Sequence, residues 1–313
     1  MPLPPLWSRL TAYVGRYPPE PESSAAPSQT EADVTWTANV AHMRADWFMT
    51  GEQADLSPLE PWWSRIAAKY DRYLDDQEDG QILSARRFDR SQPAGTRAYI
   101  NAGRYLQVAH ENHIALQAML EHHGLSPWAT YNLVRPTFEA AFFALWILDP
   151  DSGADRRARG LRAEWQDQRE LLAYMGEFQS LPDLGREVAE RCAERRARLT
   201  PIYQQEASAL DVAWEAIKQK INVVYELGAL STVREDAALS VCLKGTWRSL
   251  SGAQHGYAYP SMVGGEIVHR VPIPGGHEAT VTVNDETFVL ASTMTAFLFE
   301  SALNRWVQLG ARP

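Results

Sequence analysis

Residues 138–148 read Phe-Glu-Ala-Ala-Phe-Phe-Ala-Leu-Trp-Ile-Leu, and they constrain the fold more than any other part of the chain. At the period of an α-helix this run is apolar on every side after Glu139, and Asp149-Pro150 ends it. Such a helix must be enclosed by lipid or by other elements of the protein. The uninterrupted part, residues 140–148, falls far short of the ~20 residues that cross a bilayer. The run is therefore read as the central helix of a bundle, with no membrane partner.

Helical patterns on both sides supply elements to enclose it. Trp62, Ile66, Tyr70 and Tyr73 form one stripe of a helix from about residue 58 to 76, with Ser57 placed as its N-cap. Tyr105, Val108, Ala109, Leu116 and Leu120 mark a helix over about 97–123, stopped by Gly124. Ser126-Pro127 opens the helix that contains the apolar run. Further helices are predicted over about 155–178, 183–198 and 203–227, and one capped by Ser231 reaches toward residue 255. Residues 266–271 and 278–283 alternate around Pro274-Gly275-Gly276, a β-hairpin pattern. A last helix follows, capped by Asp285, with Val289, Leu290, Phe297 and Trp306 inward. Residues 18–32 are rich in Pro, Ser, Glu and Ala and read as linker. The expected fold is mainly α: a disordered arm over 1–53, then a helical bundle over 54–313 with a small C-terminal hairpin at about 266–283.

Charge and motifs narrow the function. The formal charge is −9, so contact with nucleic acid requires a local patch. Cys192 and Cys242 lie in separate predicted helices with no CxxC spacing, as for thiols in a reducing compartment. Residues 1–16 carry no secretory pattern, and a cytoplasmic location is expected. No phosphate-binding glycine loop, nucleophile elbow, zinc-protease motif or dinucleotide fingerprint is present, and no cofactor is expected.

His110 and His113 share a helix face, as ligands of a metal or as residues lining the core. The usual helical Glu-x-x-His pattern is missing, so no metal is assigned. Arg156, Arg157, Arg159 and Arg162 form one basic cluster, and Arg191, Arg195, Arg196 and Arg198 another. Interleaved Asp and Glu make both read as salt-bridged solvent faces, with phosphate binding the other use of the first. Arg135 and Glu139, one turn apart at the edge of the apolar run, read as an ion pair and as possible support for a site.

The segment 247–256, Trp-Arg-Ser-Leu-Ser-Gly-Ala-Gln-His-Gly, is the strongest functional lead. In a helix, Arg248 and His255 return to nearly the same azimuth about 10 Å apart along the axis, with Ser251 between them. Arg offers a permanent fork to phosphate oxygens, and His exchanges a proton near neutral pH. An Arg and a His so spaced on a late helix of a bundle resemble the HEPN superfamily. Arg135-Pro136-Thr137-Phe138-Glu139, followed by the first arginine cluster, is similar to uncharacterised bacterial helical proteins with a Ser-x-x-x-His segment. The resemblance spans about residues 97–259; the gap is longer than in the commonest HEPN members, and Ser249 stands where those carry Asn or Asp.

The resemblance implies a metal-independent endoribonuclease of a toxin or antiphage defence module. It would act as a homodimer on RNA, with an antitoxin or other protein partner possible. His255 would be acid or base, Arg248 the phosphate holder, and Ser251 a third site residue. The alternative is a non-catalytic helical protein that binds a partner or small ligand.

Overall fold

A computed structural model of the chain describes residues 55–76, 81–126, 128–257, 265–274 and 276–311. The arm over 1–53 lies outside these residues. After a 3-10 turn at Ser57–Leu59 come α1 (Glu60–Asp75), α2 (Ala85–Arg90), α3 (Gly95–His123), α4 (Ala129–Leu148) and α5 (Gly153–Glu177). Then follow α6 (Gly185–Ala209), the short α7 (Trp214–Lys218) and α8 (Val223–Ala229), and α9 (Ala237–Gln254). Strands β1 (Gly265–Ile273) and β2 (Gly276–Val283) precede α10 (Asp285–Gly310). No described helix is long and apolar enough to cross a membrane.

Helix α4 is the centre of this bundle. Its residues 140–148 are all buried, and α3, α9 and α10 pack around it, with α1 against α10 and α5 along α3. Carbonyls at the C-terminal end of α4 and in the residues just after it, where a helix end leaves such groups unpaired, accept from arginines of two other helices. Arg159 on α5 donates to Trp146 O at 2.7 Å, and Arg156 donates to Pro150 O and Asp151 O. Arg305 on α10 donates to Leu148 O at 3.0 Å, and also to Asp149 O and Pro150 O. Arg162 donates to Gln219 O and Lys220 O and pairs with Glu226. The first arginine cluster is thus not a solvent face. It ties the bundle together, and its donors are committed to protein oxygens.

A second, smaller apolar cluster joins Leu161 of α5, Tyr203 and Ala207 of α6, and Ile217 of α7. It explains why α6 continues through Pro201, where a break was predicted. An internal proline costs about 3 kcal/mol, and the burial of Tyr203 and Ala207 offsets it. The predicted helix over 203–227 is instead divided. Asp211 adopts a left-handed conformation (φ 55°), and Val212 N–H returns to Ala207 O at 3.0 Å, closing α6 without a glycine.

Three caps also differ from the sequence reading. Ser57 does not cap α1; its N–H donates to Asp55 Oδ1. Ser231 donates its N–H and hydroxyl to Asp149, and Asp236 caps α9 through Leu239 N–H. Asn284, not Asp285, caps α10, accepting from Thr287 N–H at 2.9 Å. In α10 the inward set is Phe288, Leu298, Phe299 and Trp306, while Leu290 is exposed. The hairpin is antiparallel, pairs Ile273 with Gly276 across its turn, and shifts register between Ile267 and His269.

Helices α3 and α5 meet backbone to backbone at Gly160. A Cβ there would stand 2.3 Å from Ala98 Cα. Gly160→Ala is expected to destabilise by about 1–3 kcal/mol through forced separation of the helices, although alanine is the better helix former. A urea midpoint that rises in this variant would contradict the crossing.

Candidate functional site

Helix α9 carries the lead segment. Leu243, Thr246, Leu250 and Ala253 form its buried stripe. Trp247, half-buried, lies 6.1 Å from the Phe138 ring of α4. The helix stops at a left-handed glycine: Gly256 has φ 68°, its N–H donates to Ala253 O, and Tyr257 N–H donates to Gly252 O at 2.9 Å. This double closure is a Schellman motif, with His255 as C-cap residue. Backbone N–H groups satisfy the Ser251, Gly252 and Ala253 carbonyls, so the His255 imidazole is not needed to cap them. The ring is exposed, 5.7 Å from the ring of Tyr257.

Two segments separated by more than a hundred residues meet here. The Arg135 guanidinium lies over the Trp247 ring, 4.7 Å from its centroid, and its Nη1 donates to Gln254 Oε1. Its Nη2 stands 3.5 Å from Glu139 Oε2 one turn along α4. The ion pair read from the sequence is present, and it braces the last turns of α9 against the central helix. Burial raises the Glu139 carboxyl above the usual glutamate range, and Arg135 opposes that shift. Arg135 Nε is buried without a hydrogen-bond partner among the described residues.

Arg248 and His255 are both exposed, and Ser251 is half-buried between them. By helical geometry Trp247, Ser251 and Gln254 share the face toward Arg135, and Arg248 and His255 occupy the adjoining flank. Gln254 was not singled out from the sequence as a contact for Arg135. Its spacing of seven from Trp247 is the signal that places both on one face.

His110 and His113 line the core. His110 stacks on Tyr70 with ring centroids 3.6 Å apart, and His113 meets Trp63 and Phe299 edge-on. Among the described residues no group of three or more His, Cys, Asp or Glu is placed to hold a metal. Burial, with His110 adding to it, lowers the pKa of His113 from 6.5 to about 4. A depressed folded pKa means that the unfolded chain takes the proton first. The stability from burying neutral imidazole is complete above pH 6.5 and is lost as pH falls through 4. The loss attributable to His113 is about 3 kcal/mol. Urea titrations across this window should show it as a difference between the wild type and His113→Leu. Equal acid sensitivity in the two would refute it.

A groove of about 920 Å³ opens elsewhere, between α2 and the end of α10. Ile82, Leu83 and Phe88 line it and are exposed. Its buried Arg156 and half-buried Arg305 are spent on protein oxygens. They are poorly placed to receive an anion. Comparisons of this chain with family models, with curated proteins and with solved structures find no match.

Proposed function

We propose that this chain is a metal-independent endoribonuclease, acting as a homodimer in a toxin or antiphage defence module. His255 moves the proton, Arg248 holds phosphoryl oxygens, and Ser251 lies between them. One observation carries the reading: the segments 135–139 and 247–256, which the resemblance draws together, lie against each other, and the Arg248 and His255 side chains are exposed beside the braced face. A guanidinium and an imidazole on a helix end, supported from behind by Arg135 and Glu139, form a simple apparatus for phosphodiester cleavage.

The test is incubation of the purified protein with single-stranded and structured RNA in the presence of chelator. Cleavage is the expected result. Its absence across a broad RNA panel would leave the second reading, a non-catalytic interaction protein, which the exposed Ile82, Leu83 and Phe88 beside the groove favour.

A further inference from the structure

At the meeting of α1, α3, α4 and α10 lies a cavity of about 10 Å³. Much of its wall is apolar, yet four polar side chains line it: His113, Thr137, Ser292 and Thr295. All four are buried. The Thr137 hydroxyl donates to Leu133 O and the Thr295 hydroxyl to Ala291 O, both at 2.8 Å. Each threonine oxygen therefore keeps acceptor capacity. His113 Nε2 and Ser292 Oγ, on α3 and α10, have no hydrogen-bond partner among the described residues. Buried polar atoms are almost always paired, and internal cavities with polar walls hold water where apolar ones stay dry.

We infer that this cavity is a binding site for a single water molecule bridging His113 Nε2 and Ser292 Oγ. The volume matches the roughly 10–15 Å³ that one water requires, and the wall supplies the two to four polar partners such a water makes. Water suits this position because it both donates and accepts. It can donate to a bare Nε2 or accept from Nε2–H, so the imidazole stays neutral in either tautomer. Ser292 offers the same two-way capacity across the cavity, and the threonine oxygens accept what remains. The site is independent of the segment around His255, and its success or failure does not bear on RNA cleavage.

The experiment combines a high-resolution crystal structure with nitrogen NMR of histidine-labelled full-length protein. Density for one water within hydrogen-bond distance of both atoms is expected, with cross-peaks from the His113 ring to a long-lived water. Ser292→Val, which places carbon where the water would sit, should remove both signals and shift the His113 Nε2 resonance. Ser292→Ala should shift that resonance while preserving the fold, and it serves if the valine variant is unstable. A cavity without density, a direct bond between His113 and Ser292, or an Nε2 resonance indifferent to Ser292→Ala would each overturn the inference.

Discussion

Replacing Arg156 with alanine is expected to destabilise the fold by about 3–5 kcal/mol, the usual cost of stranding one member of a buried ion pair. Asp89 is 1% exposed and Arg156 3%. Arg156 Nε and Nη2 both stand 2.7 Å from Asp89 Oδ2, which also accepts from Tyr99 at 2.8 Å. Without the guanidinium, the carboxylate would keep only the tyrosine hydroxyl on Oδ2, because Asp89 Oδ1 is buried without a hydrogen-bond partner among the described residues. The Asp151 carbonyl would lose its donor as well, and Pro150 O would keep only Arg305. The double variant Asp89→Leu, Arg156→Met should recover part of the loss, because it strands no charge. Urea unfolding followed by far-UV circular dichroism measures both. A midpoint unchanged in Arg156→Ala would mean that water reaches Asp89.

The second large effect is on activity. His255→Ala is expected to reduce RNA cleavage by ~10²–10⁴-fold, the range of a lost proton-transfer group. In cleavage without metal, a base takes the 2′-hydroxyl proton and that oxygen attacks the adjacent phosphorus. The bond to the 5′-oxygen then breaks, and the departing oxygen takes a proton. One imidazole cannot serve both ends at once, so the proposed reaction requires a second group, which the other copy of a homodimer would supply. Arg248→Lys should be severely impaired too, since a point charge does not replace a planar fork on phosphoryl oxygens. His255 is exposed beyond the last turn of α9, so its removal should leave the unfolding midpoint within the small range of surface substitutions. Cleavage that survives both substitutions would remove the site from the mechanism.

The bundle was legible in the sequence because its strongest signals are local. The all-apolar run of α4, the stripe of α1, the Gly124 stop and the hairpin alternation each follow from a few adjacent side chains and a fixed period. Failures fall where distant residues decide. Pro201 stays helical because Tyr203 and Ala207 are buried against α5 and α7, and Asp211 ends α6 in a role normally given to glycine. Ser231 is drawn from capping by Asp149, which is remote in sequence. The candidate site divides the same way. Arg135, Glu139, Arg248 and His255 were each visible as residue types at helical spacing. The hold of Arg135 on Gln254 and Trp247 exists only once α4 and α9 are packed. The arginines of 156–162 looked like a surface because their partners are main-chain carbonyls, which carry no signature in sequence, and carboxylates remote in sequence such as Asp89 and Glu226.

Arg305 has a consequence for how the chain is made. It completes the end of α4 from a position 157 residues later, and α10 covers much of the same helix. During synthesis, the most apolar segment of the chain therefore leaves the ribosome long before its cover exists. Contacts so far apart are slow to form, and exposed apolar surface invites self-association in the interval. Nascent chains that stall before residue 305 should hold α4 without its last clamp and depend on chaperones for solubility.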